Sequence, residues 1–163
     1  MHSKVKILGH PIHPMLVGYP VAFYTATLVA AIIFAADGDT FWFKVSVVTT
    51  VAGVAMALLT AIPGFIDWAF GVPGAIPAKS RGWRHMLFNV AALAVFAVNL
   101  GIHVGDWNSS NPEIVLGIVL PAVGVLLTIM AGFLGWTLVQ DDHVGVRMTA
   151  EQEHLEPSVR RAS

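Results

Sequence analysis

The sequence predicts an all-α integral membrane protein, a four-transmembrane-helix up-down bundle. The 163 residues are 56% apolar and only 12% charged, whereas charged residues make up about a quarter of a typical soluble domain. The charges fall between four long apolar runs, and each run reaches the roughly 20 residues that a helix needs to cross a bilayer. Short connections between the runs favour antiparallel neighbouring helices, as in an up-down bundle.

The predicted transmembrane domain covers residues 15–139, with helices at 15–36, 41–62, 85–104 and 113–139. A segment with a His-Pro motif, 1–14, precedes it, and a polar tail, 140–163, follows it. The fourth helix is predicted to begin at Asn111-Pro112-Glu113, because an amide cap, a proline and then a carboxylate are typical of a helix start. Apart from the arrangement in two helical hairpins, no internal repeat is visible in the sequence.

Lysine and arginine are distributed unequally between the two sides of this topology. Only Lys44 falls on one side, and eight basic residues fall on the other: Lys4, Lys6, Lys79, Arg81, Arg84, Arg147, Arg160 and Arg161. Because cytoplasmic loops carry an excess of basic residues, we expect a multi-pass protein with both termini in the cytoplasm.

Composition and motifs exclude several classes of protein. The absence of cysteine excludes disulfide scaffolds, cysteine-ligated zinc and iron–sulfur sites, and thiol catalysis. The net charge of −1 argues against a nucleic-acid partner. No hydrolase, transferase or nucleotide-binding motif is present, so an enzymatic role is open only for redox chemistry. The spans hold no charged residue between their ends, which argues against a transporter unless a homo-oligomer forms.

Histidines and one carboxylate gather at the predicted cytoplasmic side. His10 and His13 lie in GHPIHP before the first span, Asp67 follows the second span in PGFIDW, and His85 opens the third. Neutral imidazoles are common ligands of iron, zinc and copper. We therefore expect a metal site with four candidate ligands: His10, His13, His85 and Asp67. Asp67 would either bind the metal or accept the far N–H of a ligating histidine.

The bound group is expected to be haem b or a divalent metal ion, zinc or iron. Asn89, one helical turn after His85, is predicted to support the site, and Arg81 and Arg84 to pair with haem propionates. His103 is the only histidine predicted on the outer side. We expect it to lie at the membrane interface, so a second haem is not expected.

Two other interpretations of the same residues stay open. In the first, the histidines and Asp67 form a satisfied hydrogen-bond network that ties loops together, and the protein is a cofactor-free structural or interaction subunit. In the second, they form a proton relay.

Three stretches, GHPIHPMLVGYPVAF, AIPGFIDW and GWRHMLFNVAAL, together resemble domain-of-unknown-function family 2231, whose members are small prokaryotic four-span membrane proteins with a GHPxHP motif before the first span. The resemblance covers 9–139 and carries over to His10, His13, Asp67, His85 and Asn89. It implies a bacterial or archaeal inner membrane and contact with the lipid bilayer. Members can be fused to Rieske iron–sulfur or cytochrome c domains, which implies electron transfer near the membrane and a membrane redox partner.

Overall fold

A computed structural model describes residues 3–146, 149–152 and 154. A small antiparallel hairpin of strands β1 (Lys6–Ile7) and β2 (His10–Pro11) precedes the helices that build the bundle: α1 (Ile12–Leu16), α2 (Gly18–Asp37), α3 (Thr40–Gly71), α4 (Pro77–His103) and α5 (Val115–Gln140). Half of the predicted polar tail lies outside the described residues, and so do its three arginines, Arg147, Arg160 and Arg161.

The predicted four-span architecture is confirmed. The spans are α1 continued by α2, then α3, α4 and α5, each long and apolar enough to cross a membrane. Helix α2 packs against α3 and α5, and α4 packs against the same two helices. The helices therefore form a four-cornered bundle, with α2 and α4 on one diagonal and α3 and α5 on the other. Large apolar side chains such as Val29 and Leu126 face outward, where they contact the lipid bilayer.

The turn between α2 and α3 forces these two helices to be antiparallel. Gly38 ends α2 with a φ of 75°, which glycine adopts without strain, and its N–H donates to the carbonyl of Phe34. Asp39 then caps α3, because its carboxylate accepts a hydrogen bond from the Phe41 N–H at 2.9 Å. A connection of two residues is typical of an αα-hairpin, in which the second helix runs antiparallel to the first.

Helices α3 and α4 extend further toward their shared connection than the sequence predicts. Helix α3 continues nine residues beyond its predicted end, across Pro63, to Gly71, and α4 begins eight residues early, at Pro77. At the first turn of α4 the missing N–H of Pro77 costs nothing. Pro63 removes one hydrogen bond from α3, a loss that neighbouring helices can offset in a membrane. The extension makes Asp67 part of a helix.

The side chain of Lys79, in the first turn of α4, caps the carboxyl end of α3. Its ammonium group donates to the carbonyl oxygens of Trp68, Ala69 and Val72 at 2.5, 3.2 and 3.2 Å, and it lies 4.2 Å from the centroid of the Trp68 ring. The Trp68 indole N–H in turn donates to the Lys79 carbonyl at 3.0 Å. A cation at this position also complements the negative end of the helix dipole.

Replacing Lys79 with methionine is expected to lower the free energy of unfolding by about 1–2 kcal/mol, because three helix-end carbonyls lose a charged donor. The change should appear as a lower midpoint of thermal unfolding in detergent. Lys44→Met is the control, since the Lys44 ammonium lies 5.6 Å from the Trp107 ring at the other end of the bundle. Equal losses in the two variants would contradict the assigned role of Lys79.

The N-terminal segment, the α3–α4 connection and the end of α5 lie together at one end of the bundle, called here the His13 end. The Ser3 hydroxyl donates to Asp67 of α3 at 2.8 Å. Arg81, near the start of α4, pairs with Asp142, two residues after α5, at an N–O distance of 2.7 Å. The structure thus groups at one end the segments that the sequence analysis assigned to one side of the membrane.

Two aromatic rings stack at the centre of the bundle. Tyr24 of α2 and Phe96 of α4 have ring centroids 3.7 Å apart and planes within 3° of parallel. Gly53 of α3 and Gly124 of α5 pack against these rings, since a Cβ atom there would come within 2.7 Å of Tyr24 and 2.4 Å of Phe96. Glycine at these two positions therefore allows α3 and α5 to approach the stacked pair.

The two helical hairpins, α2 with α3 and α4 with α5, repeat the same contacts. In each hairpin an aromatic ring of the first helix packs against a glycine of the second, Tyr24 on Gly53 and Phe96 on Gly124. The two rings are 72 residues apart in sequence and the two glycines 71. Because the equivalent rings meet at the bundle centre, an approximate two-fold axis along the bundle relates the hairpins. This repeat was not predicted from the sequence.

Candidate functional site

His13 lies in α1, and its ring reaches across to α3. Its Nδ1 atom lies 3.0 Å from the carbonyl oxygen of Thr60. Because a carbonyl oxygen can only accept, Nδ1 carries the hydrogen and donates it, and Nε2 is left as the acceptor of a neutral imidazole. The ring packs against Gly64, where a Cβ atom would come 2.6 Å from Nδ1. Glycine thus lets the imidazole lie directly on the α3 backbone.

His85 makes the same contacts from α4 to α5. Its Nδ1 atom donates to the carbonyl of Ala131 at 2.8 Å, and its ring packs against Gly135, where a Cβ atom would lie 3.1 Å from Cε1. Asn89, one turn further along α4, donates from Nδ2 to Nε2 of His85 at 3.2 Å and to the His85 carbonyl at 2.8 Å. Asn89 therefore contacts both the ring and the backbone of His85.

The two histidines meet at the two-fold axis. Their ring centroids lie 6.3 Å apart, and the ring planes are at 89° to one another. Each ring has Nδ1 fixed on a backbone carbonyl, a contact that sets the tautomer and orientation of histidines that bind metals. Two oriented imidazoles at this separation have the chemistry to bind a metal ion or to exchange a proton. His13 and His85 are called here the histidine pair.

Asp67 lies on α3 at the His13 end and binds the N-terminal segment. Its carboxylate accepts hydrogen bonds from the Ser3 hydroxyl at 2.8 Å, the Lys4 N–H at 2.6 Å and the Val5 N–H at 3.1 Å. Hydrogen bonds to an ionised carboxylate are stronger than those between neutral groups. In this structure Asp67 therefore anchors the β1–β2 hairpin to α3.

Three other predicted site residues, His10, Arg81 and Arg84, have surroundings that differ from those of the histidine pair. His10 is in strand β2, where it is exposed and its Nδ1 atom lies 3.1 Å from the Leu8 carbonyl. Arg81 pairs with Asp142, and Arg84 is exposed on α4. The His10 ring thus contacts its own hairpin, whereas the His13 ring contacts α3.

The expected group of four ligands is not assembled in this structure. Within residues 3–146, 149–152 and 154, no group of three or more His, Cys, Asp or Glu side chains is arranged to hold a metal ion. Of the predicted site residues, the structure brings together His13, His85 and Asn89. All the predicted site residues lie at the same end of the bundle. Which of their side chains converge depends on the helix face that each residue occupies and on the backbone groups that it binds.

His103, at the carboxyl end of α4, is buried within the bundle. Its Nδ1 atom lies 2.7 Å from the Asn99 carbonyl and its Nε2 atom 3.2 Å from the Glu113 carbonyl. The ring also packs against Gly117 and Phe43. Because both ring nitrogens face carbonyl oxygens, His103 links α4 to the segment before α5 and is not placed to bind a metal.

The contacts that orient the histidine pair were missed by the sequence analysis. The carbonyls of Thr60 and Ala131 are backbone groups, so no residue type reveals them. Gly64 and Gly135 do leave a signal, because they lie 71 residues apart, the same separation as the two glycines beneath the stacked rings. That shared separation would have indicated both the repeat and the two helices that receive the imidazoles.

A family model described as "Predicted membrane protein (DUF2231)" matches residues 9–148. The chain matches no curated protein and no solved structure. The matched range contains the four membrane-spanning helices and both members of the histidine pair. The match covers most of the sequence and agrees with the four-span architecture, and the chain therefore belongs to the DUF2231 family of membrane proteins.

Proposed function

We propose that the protein binds a metal centre between His13 and His85, at the cytoplasmic side of a bacterial or archaeal inner membrane, and serves membrane redox chemistry or metal handling. The observation that carries this proposal is the histidine pair itself. Two imidazoles from equivalent positions of the two hairpins lie 6.3 Å apart, and each donates Nδ1–H to a backbone carbonyl. The same outer contact orients ligating histidines in known metal sites.

Haem b suits this pair better than a lone divalent ion. Zinc takes three or four protein ligands, and the described residues offer no group of three suitable side chains. A haem iron, by contrast, needs only its axial ligands from the protein.

The surroundings of the pair support a membrane-surface site. Arg84 precedes His85 and is exposed, so it is available to pair with a propionate, whereas Arg81 is held by Asp142. Basic residues cluster at the His13 end, and by the positive-inside rule this end faces the cytoplasm. A membrane redox partner would exchange electrons with the bound group from that side.

A cofactor-free structural or interaction subunit is the second candidate, and one contact favours it. Asn89 donates to Nε2 of His85 at 3.2 Å, so this nitrogen already has a partner and would have to exchange it for a metal. In that case the imidazoles tie α1 to α3 and α4 to α5 and form a hydrogen-bond or proton-relay network.

Protein purified in detergent from cells supplied with haem is expected to show a Soret absorption band, and His13→Ala and His85→Ala are each expected to abolish it. Each variant would remove one of the two histidines that would hold the group, and the remaining imidazole alone would bind haem far more weakly. Absorption spectra and elemental analysis for iron and zinc provide the measurement. His10→Ala is the matched control, because His10 lies at the same end but outside the pair.

Folding of each variant is checked by its elution in size-exclusion chromatography and by its thermal unfolding. A folded variant without the Soret band supports the ligand assignment. Wild-type protein without haem, iron or zinc would overturn the metal proposal and favour the cofactor-free subunit. A Soret band that survives in both variants would show that other residues bind the haem.

A further inference from the structure

The tip of the β1–β2 hairpin combines backbone strain with exposed apolar surface. Leu8 and Gly9 form its two-residue turn with φ angles of 49° and 84°, as in a type I′ turn. Asparagine or aspartate is typical at the first of these positions, whereas a leucine is strained there. Leu8 is nevertheless 94% exposed and the adjoining Ile7 63% exposed. The cost of exposing this apolar surface is removed if an apolar environment covers the tip.

The position of the hairpin along the bundle indicates that this apolar environment is lipid. Asp67 holds the hairpin against α3 through Ser3 and the backbone that follows it. On either side of Asp67, Phe65 and Phe70 point out of the bundle, 50% and 72% exposed. Large aromatic side chains on the outside of a membrane-spanning helix face the lipid or its interface. The hairpin therefore lies beside a lipid-facing part of α3.

Charge complementarity identifies the lipid class. Lys4 is exposed and Lys6 is partly exposed, so two ammonium groups lie just before the apolar tip in the chain. Basic residues next to a membrane surface are attracted to anionic lipids. We propose that the β1–β2 hairpin is an interfacial anchor, in which Ile7 and Leu8 insert at the level of the headgroups and Lys4 and Lys6 bind the phosphates of anionic phospholipids.

A single fluorescent label tests the insertion of the tip, since the chain contains no cysteine. Leu8→Cys is labelled with an environment-sensitive fluorophore, and the protein is reconstituted in vesicles of phosphatidylcholine and phosphatidylglycerol with brominated acyl chains. We expect strong quenching, because interfacial segments insert about 5–10 Å into the headgroup boundary. Ala75→Cys, in the exposed α3–α4 connection, is the control and should be quenched much less.

The charge component is tested with the unlabelled Lys4→Gln/Lys6→Gln variant. Its affinity for phosphatidylglycerol is expected to fall about five-fold for each lysine removed, measured by titrating this lipid into protein held in phosphatidylcholine. Lys44→Gln, at the other end of the bundle, should keep the wild-type affinity. Quenching no greater at position 8 than at position 75 would overturn the proposal. A change in the fluorescence of the label at position 8 that occurs only at high protein concentration would also overturn the proposal, because it would indicate contact with a second copy of the chain.

Discussion

A Gly124→Val variant is expected to lose about 1–3 kcal/mol of unfolding free energy through overpacking of the bundle core. A Cβ atom at position 124 would lie 2.4 Å from Cε2 of Phe96, far inside van der Waals contact. Phe96 has no room to move away, because it is fully buried and stacks on Tyr24 at 3.7 Å. The clash must therefore push α5 away from the stacked pair or separate the two rings.

The matched control for this prediction is Gly132→Val on the same helix. A Cβ atom at Gly132 meets nothing within 4 Å, and both variants make the same change in intrinsic helix propensity. The difference between their midpoints of thermal unfolding in detergent therefore measures the packing term alone. Equal midpoints would show that the α5 backbone shifts at little cost and that Gly124 is not required for close packing.

The membrane spans could be predicted from the sequence because the signal is local. A run of about 20 apolar residues is sufficient to identify a span, and the four spans agree with α1–α2, α3, α4 and α5. The ends of α3 and α4 could not be predicted in the same way. Helix α3 continues to Gly71, and the carbonyls of Trp68 and Ala69 near its end are bound by Lys79, a residue of the next helix. A contact from another helix that stabilises the end of a helix leaves no pattern in the sequence of the helix that it stabilises.

The candidate site was predictable only in part, for a related reason. The basic residues and the short connections placed the histidines and Asp67 at one end, and the structure keeps them there. Which side chains converge was decided by backbone groups, since Asp67 is bound by the N–H groups of Lys4 and Val5. Residue type does not reveal such donors, and a carboxylate that anchors a hairpin resembles a metal ligand in sequence.

The repeat makes the two imidazoles similar but not equivalent. The residue 72 positions before Asn89 is Val17, which has no polar side-chain atom. His85 therefore has a hydrogen-bond donor on Nε2 that the first hairpin does not reproduce at the equivalent position. The two histidines therefore differ in the hydrogen bonding of Nε2. The Nε2 atom of His85 accepts a hydrogen bond from a side chain of its own helix, α4.

Replacing Asp67 with alanine is expected to release the β1–β2 hairpin while leaving the histidine pair in place. The carboxylate accepts three hydrogen bonds from the N-terminal segment, and hydrogen bonds to charged groups contribute about 1.5–3 kcal/mol. Trypsin cleavage after Lys6 should accordingly become about 10–100-fold faster, because cleavage follows the free energy of local opening. Asp37→Ala, at the opposite end of the bundle, is the control and should not change the rate.

The same variant separates the two roles considered for Asp67. If Asp67 only anchors the hairpin, any haem or metal signal of the wild-type protein persists in Asp67→Ala, since His13 is held separately by the Thr60 carbonyl. Loss of that signal with folding intact would instead assign Asp67 to the metal centre. Asp67→Asn sharpens the comparison, because the amide retains Oδ1, the atom that accepts both backbone N–H groups, and removes the charge. Cleavage at an intermediate rate is therefore expected for this variant, whereas a rate equal to that of Asp67→Ala would show that the negative charge alone holds the hairpin on α3.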